Sequence, residues 1–244
     1  MDYTTSTPSR GYVKAAGFFY LMIIIIGAMG QIFIRGDIIV WEDASATANN
    51  MLANATLWRI GTFGDLAMHL LDIPVMVILY LLLKPINRNI ALITLAFNMI
   101  QTAVLAGNKI VLIIPLILLG NDAYKVSLGE EQIHMLVMLL NEIHDYGFGL
   151  GLVFFGFSCL GYGYLIFKSQ FFPRTIGILM IFAGIGYLTN SFMLILAPAY
   201  ASAVLPLFAL CITGELSLSL WLIFKGADSS QGPMKNSPTP NIAH

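Results

Sequence analysis

The sequence predicts an all-α membrane bundle of six transmembrane helices, with a short extracytoplasmic helix between the first two. Three observations point there. The chain of 244 residues is 58% hydrophobic and 10% charged, with a mean hydropathy of +0.82, whereas a soluble domain carries about 25% charged residues. Six apolar stretches, near 13–34, 58–83, 90–118, 135–167, 175–197 and 204–225, are long enough to cross a hydrocarbon core of about 30 Å at about 1.5 Å per residue. The positive charges also segregate to one side of these stretches.

Each element follows from local chemistry. Arg10 and Lys14 precede the first apolar run, which exceeds a signal-peptide core in length and meets no clean small-x-small cleavage site, so it reads as a retained helix. In the loop 35–57, Asp43 ahead of Ala44-Ser45-Ala46-Thr47 is suited to cap a short helix. The second stretch contains Pro74, which frees the carbonyl of Leu70. Two short basic turns, Lys84 to Asn89 and Lys168 to Arg174, each contain a proline and join stretches two to three and four to five. Their loose likeness hints at a duplicated helix pair. The glycines of the fourth stretch, among them Gly147, Gly149, Gly151, Gly156, Gly161 and Gly163, invite close helix packing. Cys159 and Cys211 lie in apolar runs and read as packing residues.

With the N-terminus inside, Arg10, Lys14, Lys84, Arg88, Lys168, Arg174, Lys225 and Lys235 fall on the cytoplasmic side, against Arg35, Arg59 and Lys125 outside. The expected organisation is a cytoplasmic segment 1–12, a transmembrane domain 13–225 and a disordered cytoplasmic tail 226–244, in the plasma membrane with both termini inside. Trp41, Trp58 and Tyr200 are expected at the outer interface, and Tyr80, Phe171, Phe172 and Trp221 at the inner one. A net charge of −1 gives no nucleic-acid footprint. The bilayer itself is the expected partner, and the sequence assigns no oligomeric state.

The informative residues are the ionisable ones inside these stretches: Asp65, His69, Asp72, Lys109, Glu142, His144, Asp145 and Glu215. Each would cost roughly 2.5–3.5 kcal/mol at the centre of a lone membrane helix, so the eight together would cost about 20 kcal/mol unless they pair, lose charge or meet water. Asp65, His69 and Asp72 are spaced i, i+4, i+7 and fall within about 60° of one another on a helix. Asn141 and Asp145 share a face in the fourth stretch, flanked by Glu142 and His144. Asn98, Gln101, Asn108 and Asn190 add neutral polar groups, and Cys211, Glu215 and Ser219 form a stripe. From the topology, Asp65, Lys109, Glu142, His144 and Asp145 are expected in the outer half, with His69, Asp72, Asn190 and Glu215 nearer mid-depth. Together they would line a polar cavity opening outward and floored by Asp72 and Glu215. Bland readings stand beside this one: Asp65–His69 as a structural pair, Lys109 as a neutraliser of Glu142 or Asp145, Glu142 as simply wet, and Asn98 with Gln101 as interhelical glue.

His144-Asp145-Tyr146-Gly147 and Gly151-Leu152-Val153-Phe154-Phe155-Gly156 resemble motifs of a bacterial membrane family, domain of unknown function 4386. The likeness continues in Phe172-Pro173-Arg174-Thr175-Ile176-Gly177, Ala183-Gly184-Ile185-Gly186-Tyr187, Gly214-Glu215-Leu216-Ser217-Leu218 and, upstream, Arg35-Gly36, Arg59, Asp65, Asp72 and Lys84-Pro85-Ile86-Asn87. It spans Gly11 to Gly226 and implies a compact six-helix membrane protein without implying an activity. Members of that family commonly carry a further histidine near the position of Ser158-Cys159, and its absence here counts against a metal site built on three histidines.

The chemistry these residues allow is acid–base work on a small lipophilic molecule. A low-dielectric pocket disfavours the charged form of a carboxyl, so Asp72 or Glu215 would serve as acid, with Asp65 or Asp145 beside His69 or His144 as base. Lys109, Asn108, Asn141, Glu142 and Asn190 would contact the ligand. A metal held by Asp65, His69, His144 and Asp145 is a weaker variant, because no one helix carries a two-histidine motif; the metal question and any cofactor stay open. A proton-coupled transporter using Asp72 and Glu215, or a membrane sensor or scaffold, are the alternatives.

Overall fold

A computed structural model describes residues 8–226. The tail expected over 226–244 therefore lies outside the described residues but for Gly226, as do residues 1–7 of the expected N-terminal segment. Six helices are long and apolar enough to cross a membrane: α1 (Arg10–Ile38), α3 (Ala55–Leu83), α4 (Arg88–Leu119), α6 (Glu130–Lys168), α7 (Arg174–Leu196) and α8 (Leu207–Phe224). Two shorter helices, α2 (Ala44–Ala53) and α5 (Asp122–Leu128), sit in the connections. Among the described residues there is no strand.

Asp43 caps α2 as expected, its carboxylate accepting from the Ala46 N–H at 2.8 Å. The helix α5 and a 3₁₀ stretch at Pro198–Val204 are additions that apolar periodicity does not signal. The first long helix ends later than its apolar run suggests. Met29–Arg35 winds as a π-helix and the chain stays helical to Ile38, which carries Arg35 inside the bundle instead of into the following loop. α3 runs unbroken through Pro74. α4 departs from regular geometry at Lys109, whose N–H bonds the carbonyl of Ala106, three residues back.

Each long helix packs on its chain neighbours, and α1 packs on α8, which closes a ring of six. Small residues make the closest seams. A Cβ on Gly17 of α1 would come within 2.8 Å of backbone atoms of Ser219 and Ile223 on α8. On the α6–α7 seam a Cβ at Gly163 would stand 2.8 Å from the Gly177 carbonyl oxygen, and one at Gly177 2.8 Å from that of Gly163. Arg10 lies against Gly226, so the start of α1 and the end of α8 share one end of the bundle. We call this the terminal end and the other the loop end. Toward the terminal end the interior is a continuous apolar core that includes Val13, Leu79, Leu83, Leu165, Ile166, Met180, Leu218 and Leu222. A smaller apolar cluster around Ile38, Met51, Trp58, Leu112 and Ile133 fills the loop end. Trp58 belongs to that cluster at 2% exposure, its indole donating to the Leu112 carbonyl at 2.7 Å, and so is not part of an interfacial aromatic belt. Trp41 and Tyr200 are exposed.

These seams set a stability contrast. Gly177→Ala, whose new methyl meets backbone, should cost about 1–3 kcal/mol. Gly107→Ala, with nothing within 4 Å of the added carbon, should be neutral or gain up to about 1 kcal/mol in helix propensity. Thermal unfolding of the two purified variants measures this, and equal melting would contradict the packing described.

Candidate functional site

The buried ionisable groups separate into clusters at different depths, where the sequence predicts one shared cavity. In the loop-end half, Asp65 of α3 is buried, with Arg35 of α1 and Lys109 of α4 both directed at its Oδ2, at 2.6 Å and 3.3 Å. The guanidinium Nε also donates to Gln31 Oε1 at 2.9 Å. The π-helical turn and Gly30 make this possible: a Cβ at Gly30 would stand 2.7 Å from Asp65 Oδ1 and 3.3 Å from the guanidinium. Asp65 Oδ1 has no hydrogen-bond partner.

Lys109 connects this cluster to α6. Its Nζ lies 3.3 Å from His144 Nε2, and His144 Nδ1 lies 3.4 Å from Asp145 Oδ1. With Asp145 accepting from the Nδ1 proton, Nε2 carries the lone pair that faces the ammonium. The ammonium also sits 5.9 Å from the ring centre of Phe148. Asn108 donates to the His144 carbonyl at 2.8 Å and packs where Gly147 has no side chain. His69, one turn from Asp65 on α3, is buried and its Nε2 has no partner. The Asp65–His69 hydrogen bond that spacing suggests is replaced by two cations from other helices.

Deeper in, Asp72 is half-buried. Its Oδ2 accepts from Asn98 at 2.9 Å and from Thr102, and Ser158 donates to Asn98 Oδ1 at 3.0 Å. Across the ring, Glu215 accepts from the Tyr187 hydroxyl, and Tyr20 of α1 faces the same carboxyl. Asp72 and Glu215 each have their own hydrogen-bond donors.

The remaining predicted residues stand apart. Glu142 is exposed and borders a shallow groove along the start of α6 with Glu131, Gln132 and Met135. Lys109 therefore pairs with Asp65 and not with Glu142. Asn141 turns to its own helix, donating to the Val137 carbonyl at 2.8 Å. Asn190 is buried in α7. Among the described residues no three His, Cys, Asp or Glu side chains gather as a metal site, so Asp65, His69, His144 and Asp145 do not converge as a ligand set here.

A feature that sequence does not announce is a groove of about 410 Å³ between α3 and α4. Trp58, Arg59, Thr62, Phe63 and Leu66 form one wall, and Ala106, Ile110 and Ile113 the other, with Lys109 also lining it. Phe63 and Ile110, 72% and 65% exposed, face outward on its rim. The groove thus opens sideways along an apolar flank, and one of its polar lining residues, Lys109, belongs to the Arg35–Asp65–Lys109–His144 cluster. Its size falls in the range of small-ligand sites, about 300–1,000 Å³. Neither groove reaches Asp72 or Glu215.

A family model described as a domain of unknown function (DUF4386) matches residues 15–226. An uncharacterized protein of the archaeon Archaeoglobus fulgidus is 26% identical over 162 residues, covering 66% of this chain and 81% of the relative. No solved structure matches.

Asp65 holds two cations, so its loss should be felt more than the loss of either. Asp65→Asn leaves Arg35 and Lys109 buried and uncompensated and should cost about 3–5 kcal/mol. Arg35→Gln leaves a one-to-one Asp65–Lys109 pair and should cost clearly less. Chemical or thermal unfolding of the two variants in detergent ranks them; the reverse order would contradict the shared carboxylate.

Proposed function

The chain belongs to the DUF4386 family, and from that premise we propose that it is a multi-pass membrane protein that takes a small lipophilic molecule sideways from the bilayer into the groove between α3 and α4. There it acts on the polar end of that molecule by carboxylate/histidine acid–base chemistry. The observation that carries this reading is Lys109, the one buried cation among the described residues lining a largely apolar groove, which bonds to the buried Asp65 and His144. An ammonium in that position neutralises or protonates the head of a bound molecule. His144 behind it exchanges the proton, and Asp145 fixes the tautomer of the ring, as an orienting carboxylate does in acid–base relays. The positive charges favour placing the terminal end in the cytoplasm, so that the groove lies in the outer leaflet.

Proton-coupled transport is the second reading, because Asp72 and Glu215 are ionisable groups turned toward the bundle interior. It is the weaker one: between them and the terminal end the interior is apolar packing around Leu79, Leu165, Met180 and Leu218, which offers no path for a solute.

The test is the molecule that accompanies the protein. Organic extracts of purified native protein should contain a lipophilic species that is depleted when Ala106→Phe fills the groove, in a variant that melts with the native protein. His144→Gln should still retain a lipophilic species, shifted in mass if the bound molecule is normally converted. Native extracts no richer than those of Ala106→Phe would sink the reading.

A further inference from the structure

The charges around the groove do not balance. Arg35 and Lys109 converge on a single carboxylate, Asp65. Gln31, His144 and Asn108 add neutral groups. The nearest further carboxylate, Asp145, stands behind the His144 ring with 41% of its side chain exposed. The buried part of the cluster therefore carries one more positive than negative charge, in surroundings where an uncompensated charge is costly. Of the two buried cations, Lys109 alone lines the groove. Arg59, exposed on the same wall, adds a second positive charge, Thr62 adds a hydroxyl, and no carboxylate lines the groove among the described residues.

Resting on the groove reading above, we propose that the ligand is a single-chain amphiphile with an anionic head, of the fatty-acid class. Its head meets Lys109 and its chain lies along the apolar walls formed by Phe63, Leu66, Ile110 and Ile113. The anion supplies the charge that the cluster lacks, in a charge-assisted hydrogen bond to the ammonium. The volume of about 410 Å³, at the lower end of the small-ligand range, suits one chain better than the two of a phospholipid.

The experiment compares oleate with oleyl alcohol, which share a chain and differ in head charge. Full-length protein is placed in phosphatidylcholine nanodiscs, and binding is taken above that of empty nanodiscs. Oleate should bind the native protein about tenfold or more tightly than the alcohol. Lys109→Met should reduce that preference toward unity while leaving alcohol binding in place, and Lys109→Arg should keep it. Lys84→Gln, at the terminal end, should change nothing, which separates the groove from general surface charge. Equal affinity for the two probes in the native protein, or a preference that survives Lys109→Met, overturns the anionic-head assignment and leaves the groove reading standing. Absence of binding by both probes overturns the groove reading and this assignment with it.

Discussion

One oxygen of Asp65 receives two cations, Arg35 from α1 and Lys109 from α4, and much of the loop-end half is arranged around that arrangement. A carboxylate buried among apolar helices needs a counter-charge, and supplying two instead of one ties three helices to a single point. The requirements spread outward. Gly30 must lack a side chain for the guanidinium and carboxylate to meet, and the π-helical turn must carry Arg35 inward. α4 must break its regular ladder at Lys109 so that the ammonium reaches both Asp65 and His144. π-Helical turns inside helices are uncommon and occur often at functional sites.

Below this cluster the polar groups are organised differently. Asp72 and Glu215 are met by neutral donors, Asn98 and Thr102 for one and Tyr187 for the other. Neutral donors stabilise a buried carboxyl without the desolvation of a second charge. The bundle therefore keeps its charged pairing near the groove and its neutral hydrogen bonding in the interior. The α6 glycines explain how neighbouring backbones come close enough for such short side chains to meet: Gly161 faces Thr94, Gly151 faces Leu105, and Gly156 faces the carbonyl of Gly184.

The architecture was legible in the sequence because hydropathy and length suffice to mark helices that must satisfy their own backbone in lipid. The Asp43 cap on α2 was legible for an equally local reason. Asp65, Lys109, His144 and Asp145 stood out as ionisable residues in apolar runs, and all four fall in or beside one cluster. Arg35 did not, because its apolar run ends at Arg35-Gly36-Asp37, which reads as a loop. The available signal was Gln31 four residues earlier, a polar pair on one helical face inside an otherwise apolar turn. The i, i+4 spacing allows Asp65 to pair with His69, but a full charge from another helix outweighs a neutral neighbour on the same one. Tryptophan favours interfaces, which makes Trp58 read as part of a belt, whereas the Leu112 carbonyl offers its indole a buried acceptor. The groove was invisible because it belongs to two helices and to the angle between them, which no single stretch encodes.

The account depends most on the three-way contact at Asp65, and solid-state NMR in lipid bilayers measures it directly. With ¹³C in the Asp65 carboxylate and ¹⁵N in the Lys109 ammonium and Arg35 guanidinium, both nitrogens should show strong dipolar coupling to the same carbon, as nitrogen–oxygen distances of 3.3 Å and 2.6 Å require. Coupling to one nitrogen alone, or to neither, would contradict the shared carboxylate.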